Sequence, residues 1–280
     1  MDTMWMRSRV TTKPPTIRMA RTEFLRAAAA VMVALSVGAI SAPGQQQPRP
    51  AANSAPAQTE RYLYRTELVQ AAPGKLVELI DLYKQQSALD QQAGDEPALW
   101  MRHSQGDRWD LLRLVPMQSY ADYYRAERIA ARERAARGAA WLAKLRDDIA
   151  WEEDVFVYGP PLEAVKKAFA SGAFFHVEMF EALAGRGAEL YHEREMENAY
   201  AAALGQPQNL IFVRDQGAAW TLFTIGVYRD LKHYAESADV TPEAQAAAAK
   251  AAGFASASDI GPYLRRFISL HHDTLAVAVK

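Results

Sequence analysis

The chain has no cysteine among its 280 residues. That excludes disulfides, thiolate metal sites, a cysteine nucleophile and anchoring through a lipidated N-terminal cysteine. Net charge is lacking too, at −1. The first 58 residues hold seven of the basic and two of the acidic residues, so the remainder carries about −6. A mildly acidic body without a basic run argues against nucleic acid as a partner. Glycine-rich phosphate loops, serine nucleophile elbows and kinase motifs are missing. None of the six histidines falls in a His-Glu-x-x-His or comparable ligand spacing, so no metal site is expected from the sequence.

The N-terminus reads as an export address. Arg21 and Arg26 form a basic segment ahead of the apolar run Ala27 to Ile40, which has signal-peptide length and is short for a membrane span. Small residues at Ala39 and Ser41, and again at Ala42 and Gly44, offer cleavage sites, and Met19 is the expected start. A transmembrane anchor is the competing reading. Residues 1–44 are therefore assigned to an N-terminal extension and signal peptide. Residues 45–60, rich in Gln, Pro, Ala and Ser, are assigned to a disordered linker. The expected location is periplasmic or secreted, with no stable membrane span after processing.

The body of the chain is written twice. Shifted by 111 positions, Tyr64–Tyr123 falls on Phe175–Tyr234 without a gap. Glu67 meets Glu178, Gly74 meets Gly185, Gln105-Gly106 meets Gln216-Gly217, and Trp109 meets Trp220. Internal repetition fixes architecture before any other signal. Each copy reads as strand, helix, hairpin, helix, strand. In the first, Tyr62–Gln70 alternates as a strand and Leu76–Leu89 has helical periodicity. Leu99–His103 and Arg108–Pro116 form a hairpin, Ser119 caps a second helix, and Asp154–Tyr158 is the fourth strand. A short helix, Leu162–Phe169, links to the second copy. That copy diverges in an Ala-rich helical segment, Ala235–Ser258, and closes with a strand at Thr274–Val279. The fold class is α+β: two fused ferredoxin-like β-α-β-β-α-β repeats, residues 61–161 and 162–280, forming an α+β barrel.

With Arg65-Thr66-Glu67 leading through Pro73-Gly74-Lys75 into the helix Leu76–Tyr83, each copy resembles the dimeric α+β barrel superfamily, and in particular its NIPSNAP-like members. The resemblance implies a barrel built within one chain, and a range of chemistries that includes cofactor-independent oxidation and haem binding. A fold that hosts so many activities does not select one.

Strand alternation sorts two faces. Tyr64, Thr66 and Leu68 (Phe175, Val177 and Met179 in the copy) are expected to meet the helices, as are Leu112 and Leu114. Arg65, Glu67 and Val69 (His176, Glu178 and Phe180), with Trp109, Leu111 and Arg113 (Trp220, Leu222 and Thr224), are expected to face the interior. This places Glu67 and Glu178 as candidate acid–base groups. Arg65, Trp109, Arg113, His176, Trp220 and His272 become candidate ligand-binding residues. A purely structural role is the competing reading: ion pairs between sheets and tryptophans filling the barrel. The expected function is binding of a small apolar or aromatic molecule, with its oxidation or other conversion as the extension of that reading. The alternatives are a haem protein with a histidine axial ligand, or a non-enzymatic envelope module using Ala235–Ala252. Whether the protein is an enzyme, and whether it forms a homo-oligomer, stay open on these grounds.

Overall fold

The computed structural model describes residues 61–279, which belong to one compact unit. The signal peptide and linker lie outside the described residues. Among the described residues no helix is long and apolar enough to cross a membrane.

Repeat 1 begins with β1 (Tyr62–Ala71) and α1 (Leu76–Gln92), which are joined by a turn in which Gly74 takes a φ of 76°. The hairpin β2 (Leu99–Gln105) and β3 (Leu111–Gln118) follows. Ser119 then accepts from the Asp122 amide and starts α2 (Tyr120–Tyr123). The expected single helix is broken into α2, α3 (Ala126–Ala135) and α4 (Trp141–Asp147), with Gly138 at φ 83° between the last two. The fourth strand, β4 (Ile149–Gly159), starts five residues earlier than its apolar pattern indicates. α5 (Leu162–Ser171) leads to repeat 2: β5 (Phe174–Ala182), α6 (Gly187–Ala203), β6 (Leu210–Gln216) and β7 (Leu222–Tyr228). After α7 (Leu231–Ala235), α8 (Pro242–Ala251) and α9 (Ile260–Leu264), the chain ends in β8 (Ile268–Ala278). α8 opens on a cap: Thr241 accepts from the Ala244 amide with proline at the first helical position.

Each repeat forms a four-stranded antiparallel sheet, ordered β4-β1-β3-β2 and β8-β5-β7-β6, and the two close into one eight-stranded barrel. Closure occurs at two seams. β4 pairs with β6 through Val157↔Arg214 and Tyr158↔Val213, and β2 pairs with β8 through Met101↔Ala278 and His103↔Ala276. Barrel closure removes every sheet edge, which is where unpaired backbone groups would otherwise lie.

The two faces are the reverse of those expected. One core cluster unites residues from all eight strands, Tyr64, Leu68, Met101, Leu112, Leu114, Val155, Phe175, Val177, Met179, Phe212, Phe223, Ile225 and Ala276 among them, and so fills the barrel. Val69 and Leu111 instead pack on Leu79 and Tyr83 of α1, and Phe180 and Leu222 pack on Leu190 of α6. The physical reason is coverage. Both faces of β1, β3, β5 and β7 are largely buried, one by the opposite sheet and one by helices, so alternation there yields two apolar sets. The aromatic set fills the interior. The set carrying the carboxylates faces the helices, where arginines can reach them. α5 plugs one end of the barrel with Leu162 and Val165, and the Tyr64 hydroxyl donates to Pro160 O at 2.8 Å.

Candidate functional site

Among the described residues the interior is packed and one end is plugged, and the other end of the barrel opens as a mouth. Leu68 and Met179, the last core residues of β1 and β5, form its floor. Trp109 and Trp220, in the turns before β3 and β7, and Trp151 of β4 form walls. Together with Leu270 they bound a cavity of about 320 Å³. Asp107, Arg108, Glu153, Glu181, Ala219 and His272 complete the lining. Arg108 lies 4.0 Å over the Trp151 ring, and His272 Nδ1 is 3.1 Å from Asp107 Oδ2. The indole N–H groups of Trp109 and Trp220 are buried without a hydrogen-bond partner. An unmet buried donor is costly.

Three of the expected site residues thus meet here: Trp109, Trp220 and His272. The tryptophans point inward although they precede their strands. His272 points inward because Thr274 and Ala276 of the same strand do. Trp151, Glu153 and Glu181 were missed. They continue the inward sets of β4 and β5, but a fourth strand begun at Asp154 left Trp151 and Glu153 outside any pattern.

The other candidates are not in the barrel. Glu67 is 3 % exposed beneath α1, with Arg65 Nη2 at 2.5 Å and an ion pair to Arg113. The Arg113 guanidinium lies 3.8 Å over the Tyr83 ring. Glu152 and Asp154 line the same cavity of about 250 Å³, and burial raises the pKa of each. At the edge of this cluster burial pushes Asp90 up to about 6.

Glu178 occupies the equivalent place beneath α6. Thr224 Oγ1 donates to its Oε2 at 3.0 Å, and Arg194 Nη1 stands 3.6 Å from that same oxygen. The arginine has changed its carrier. Repeat 1 brings it from the sheet (Arg113) onto a helical tyrosine (Tyr83); repeat 2 brings it from the helix (Arg194) above a strand threonine (Thr224). Around Glu178 stand His176, His271 and Asp273, with His176 Nε2 2.9 Å from Asp273 Oδ1. Contact with the two imidazoles, His176 first, holds Asp273 well below the usual carboxylate range. Asp273 and Glu178 in turn push His271 up to about 9. Burial opposes ionisation of Glu178, but His271, Arg194 and His176 outweigh it and its pKa falls. Burial pushes nearby Glu197 up to about 8.

No family model and no curated protein matches the chain. Among solved structures, a protein provisionally described as a monooxygenase from Lactobacillus acidophilus NCFM is 8% identical, with a TM-score of 0.47 over 78% of this chain and 94% of that one. An anthrone oxidase-like protein is 10% identical, with a TM-score of 0.46 over 79% and 92%. A chlorite dismutase variant from Candidatus Nitrospira defluvii is 10% identical, with a TM-score of 0.45 over 78% and 91%. Likeness at this level says nothing about chemistry. The resemblance to NIPSNAP-like proteins rests on the residues quoted for it alone.

Proposed function

We propose that the protein is an exported small-molecule-binding barrel whose site is the tryptophan-walled mouth. The observation that carries this is the convergence of Trp109, Trp151 and Trp220 on a cavity of about 320 Å³ floored by Leu68 and Met179. That volume sits at the small end of ligand sites, and a few polar groups in an apolar wall are what such sites need. A one- or two-ring planar molecule fits the walls. The rim carries Asp107, Glu153 and Glu181 against Arg108, which disfavours an anionic ligand and favours a neutral or cationic one. His272, oriented by Asp107, is the group placed to exchange a proton with a bound molecule.

Titrating the protein with indole, phenol and aromatic amines while following tryptophan emission tests the reading. Saturable quenching that is lost in Trp151→Ala supports it, and an unchanged spectrum across the panel overturns it. Export is tested separately, by N-terminal sequencing of the mature protein from the cell envelope or medium. One observation favours haem instead: Asp107 holds His272 Nδ1, the arrangement that presents Nε2 to a metal. The residues do not fit the rest of that group. Its two propionates would meet a rim of three carboxylates, and the macrocycle exceeds the cavity. A Soret band on adding haemin would reverse that judgement.

A further inference from the structure

We propose that His176, His271, Glu178 and Asp273 form a binding site for a divalent first-row transition-metal ion. It lies on the helix-side face of β5 and β8, the opposite face from the mouth, and does not depend on the function assigned there.

The geometry is that of a ligand set. Donor atoms of His176, Glu178 and Asp273 all lie within 4.8 Å of one another. His176 Nε2 is 2.9 Å from Asp273 Oδ1, and His271 Nε2 is 3.5 Å from both Asp273 Oδ1 and Glu178 Oε1. Donors about 2.0–2.2 Å from one ion stand roughly 3.3–3.6 Å apart in a tetrahedron, so the His176, Glu178 and Asp273 donors must draw in by up to about 1.5 Å to share one, with His271, 3.5 Å from both carboxylates, as the fourth ligand. His271 Nε2 is buried and has no hydrogen-bond partner, although two carboxylates face it.

The supports are those a ligand set needs. Glu178 is gripped on its far oxygen by Thr224 and Arg194, which leaves Oε1 toward His271. The His271 ring lies flat on Phe180, with centroids 4.6 Å apart and planes 5° apart, and His176 packs on Tyr234. Asp273, with a side chain 55% exposed, gives an entry path.

The duplication supplies an internal comparison. Repeat 1 keeps the two carboxylates as Glu67 and Asp154, but Arg65 stands where repeat 2 has His176, and Glu152 where it has His271. Strand guanidiniums neutralise the first cluster directly. In repeat 2 imidazoles take the places of one arginine and one carboxylate, exchanging a fixed cation for metal-binding nitrogen. Two imidazoles and two carboxylates, with no thiolate in the chain, suit Zn²⁺, Mn²⁺, Fe²⁺ or Co²⁺ rather than a soft ion. Sequence spacing could not show the site, because its ligands come in pairs from two strands 95 residues apart.

The test uses chelator-treated full-length protein titrated calorimetrically with Zn²⁺, Co²⁺ and Mn²⁺ in turn. One ion per chain is expected, with the Co²⁺ complex showing d–d absorption. His176→Ala and Asp273→Asn should each weaken binding by at least about tenfold, while His192→Ala, on the outside of α6, should not. Should a variant misfold, Co²⁺ broadening of the His176 and His271 ring protons in the wild-type protein decides the matter. Absence of binding by all three ions overturns the proposal. So does binding that survives both ligand variants, or paramagnetic broadening confined to other histidines.

Discussion

Glu67 and Glu178 show how one residue kept by duplication can be neutralised in two ways. Glu67 depends on Arg113, buried to 2% exposure, and Glu178 on Arg194 from the facing helix. Breaking a buried pair leaves an uncompensated charge and costs about 3–5 kcal/mol. Arg65 still faces Glu67 when Arg113 is replaced, so Arg113→Met should lower unfolding stability by less than that, about 1.5–3 kcal/mol in urea titrations, and adding Glu67→Gln should recover part of the loss. Asp90 carries the opposite kind of charge. Burial raises its folded pKa to about 6, above its ordinary value near 3.8. The folded state then binds the proton more tightly than the unfolded state, so stability falls as pH rises through that window. Asp90→Asn should stabilise the protein at pH 7.5 by about 1 kcal/mol, after allowance for solvent screening, and have no effect below about pH 3.5. Thermal melts at the two pH values check this. The matched glutamates could be read from the sequence, but their partners could not. Arg113 aligns with Thr224 and Arg194 with Tyr83, so neither guanidinium repeats. The interior face was misassigned for a related reason: placing charges inward assumed a polar cavity, whereas the barrel is filled by Tyr64, Phe175, Phe212 and Phe223.

An element boundary was legible where a cap residue marked it, as at Ser119, which accepts from the Asp122 amide; Asp230 and Thr241 accept from amides three residues on in the same way. The starts of β4 and β8 were not. Ala150-Trp151-Glu152-Glu153 and Leu270-His271-His272 are mixed in polarity because each strand opens between the mouth and a charged cluster. The missed residues are therefore those that line the candidate sites, Trp151, Glu153 and His271 among them. Within β4, Gly159 is also positional. A Cβ there would meet the Phe212 ring at 2.3 Å, and Phe212 is fixed by stacking on Phe223 with centroids 4.7 Å apart. Gly159→Ala should cost about 1–3 kcal/mol by overpacking, measured as a lower urea midpoint with unchanged slope. Trp109, 1% exposed, should cost more when truncated: Trp109→Ala removes a core wall at about 3–5 kcal/mol. A wild-type midpoint for that variant would show that the tryptophan is not part of the fold.

For the whole molecule, the seams decide whether two repeats make one domain. Each four-stranded sheet buries its inner face only against the other, and the core cluster draws on both repeats without division. The repeated Gln-Gly pairs sit at these seams. Gly106, at φ 127°, brings the β2 turn against β8, where a Cβ would stand 2.3 Å from Asp273 O. Gly217, at φ 98°, brings the β6 turn against β4, with Asp154 O at 2.7 Å. The conformation and the close approach both call for glycine, which gives a physical reason for a dipeptide that looked in the sequence like an ordinary hairpin turn. A repeat expressed alone would expose an apolar sheet face together with the two outer strands that the seams now cover, and an isolated repeat of this kind is driven to self-association. Residues 61–161 and 162–280 produced separately should therefore not form stable monomers. Each should elute as a dimer or aggregate in size exclusion and melt below the full chain. Mixed during refolding, they should recover a 1:1 complex with the mouth restored and the tryptophan emission of the intact protein. Gly106→Ala or Gly217→Ala in the matching fragment should weaken that complex while leaving the fragment's helical circular dichroism unchanged. Two fragments that each remain monomeric, and melt at the temperature of the full chain, would show instead that the repeats are independent domains and that the shared core contributes little to stability.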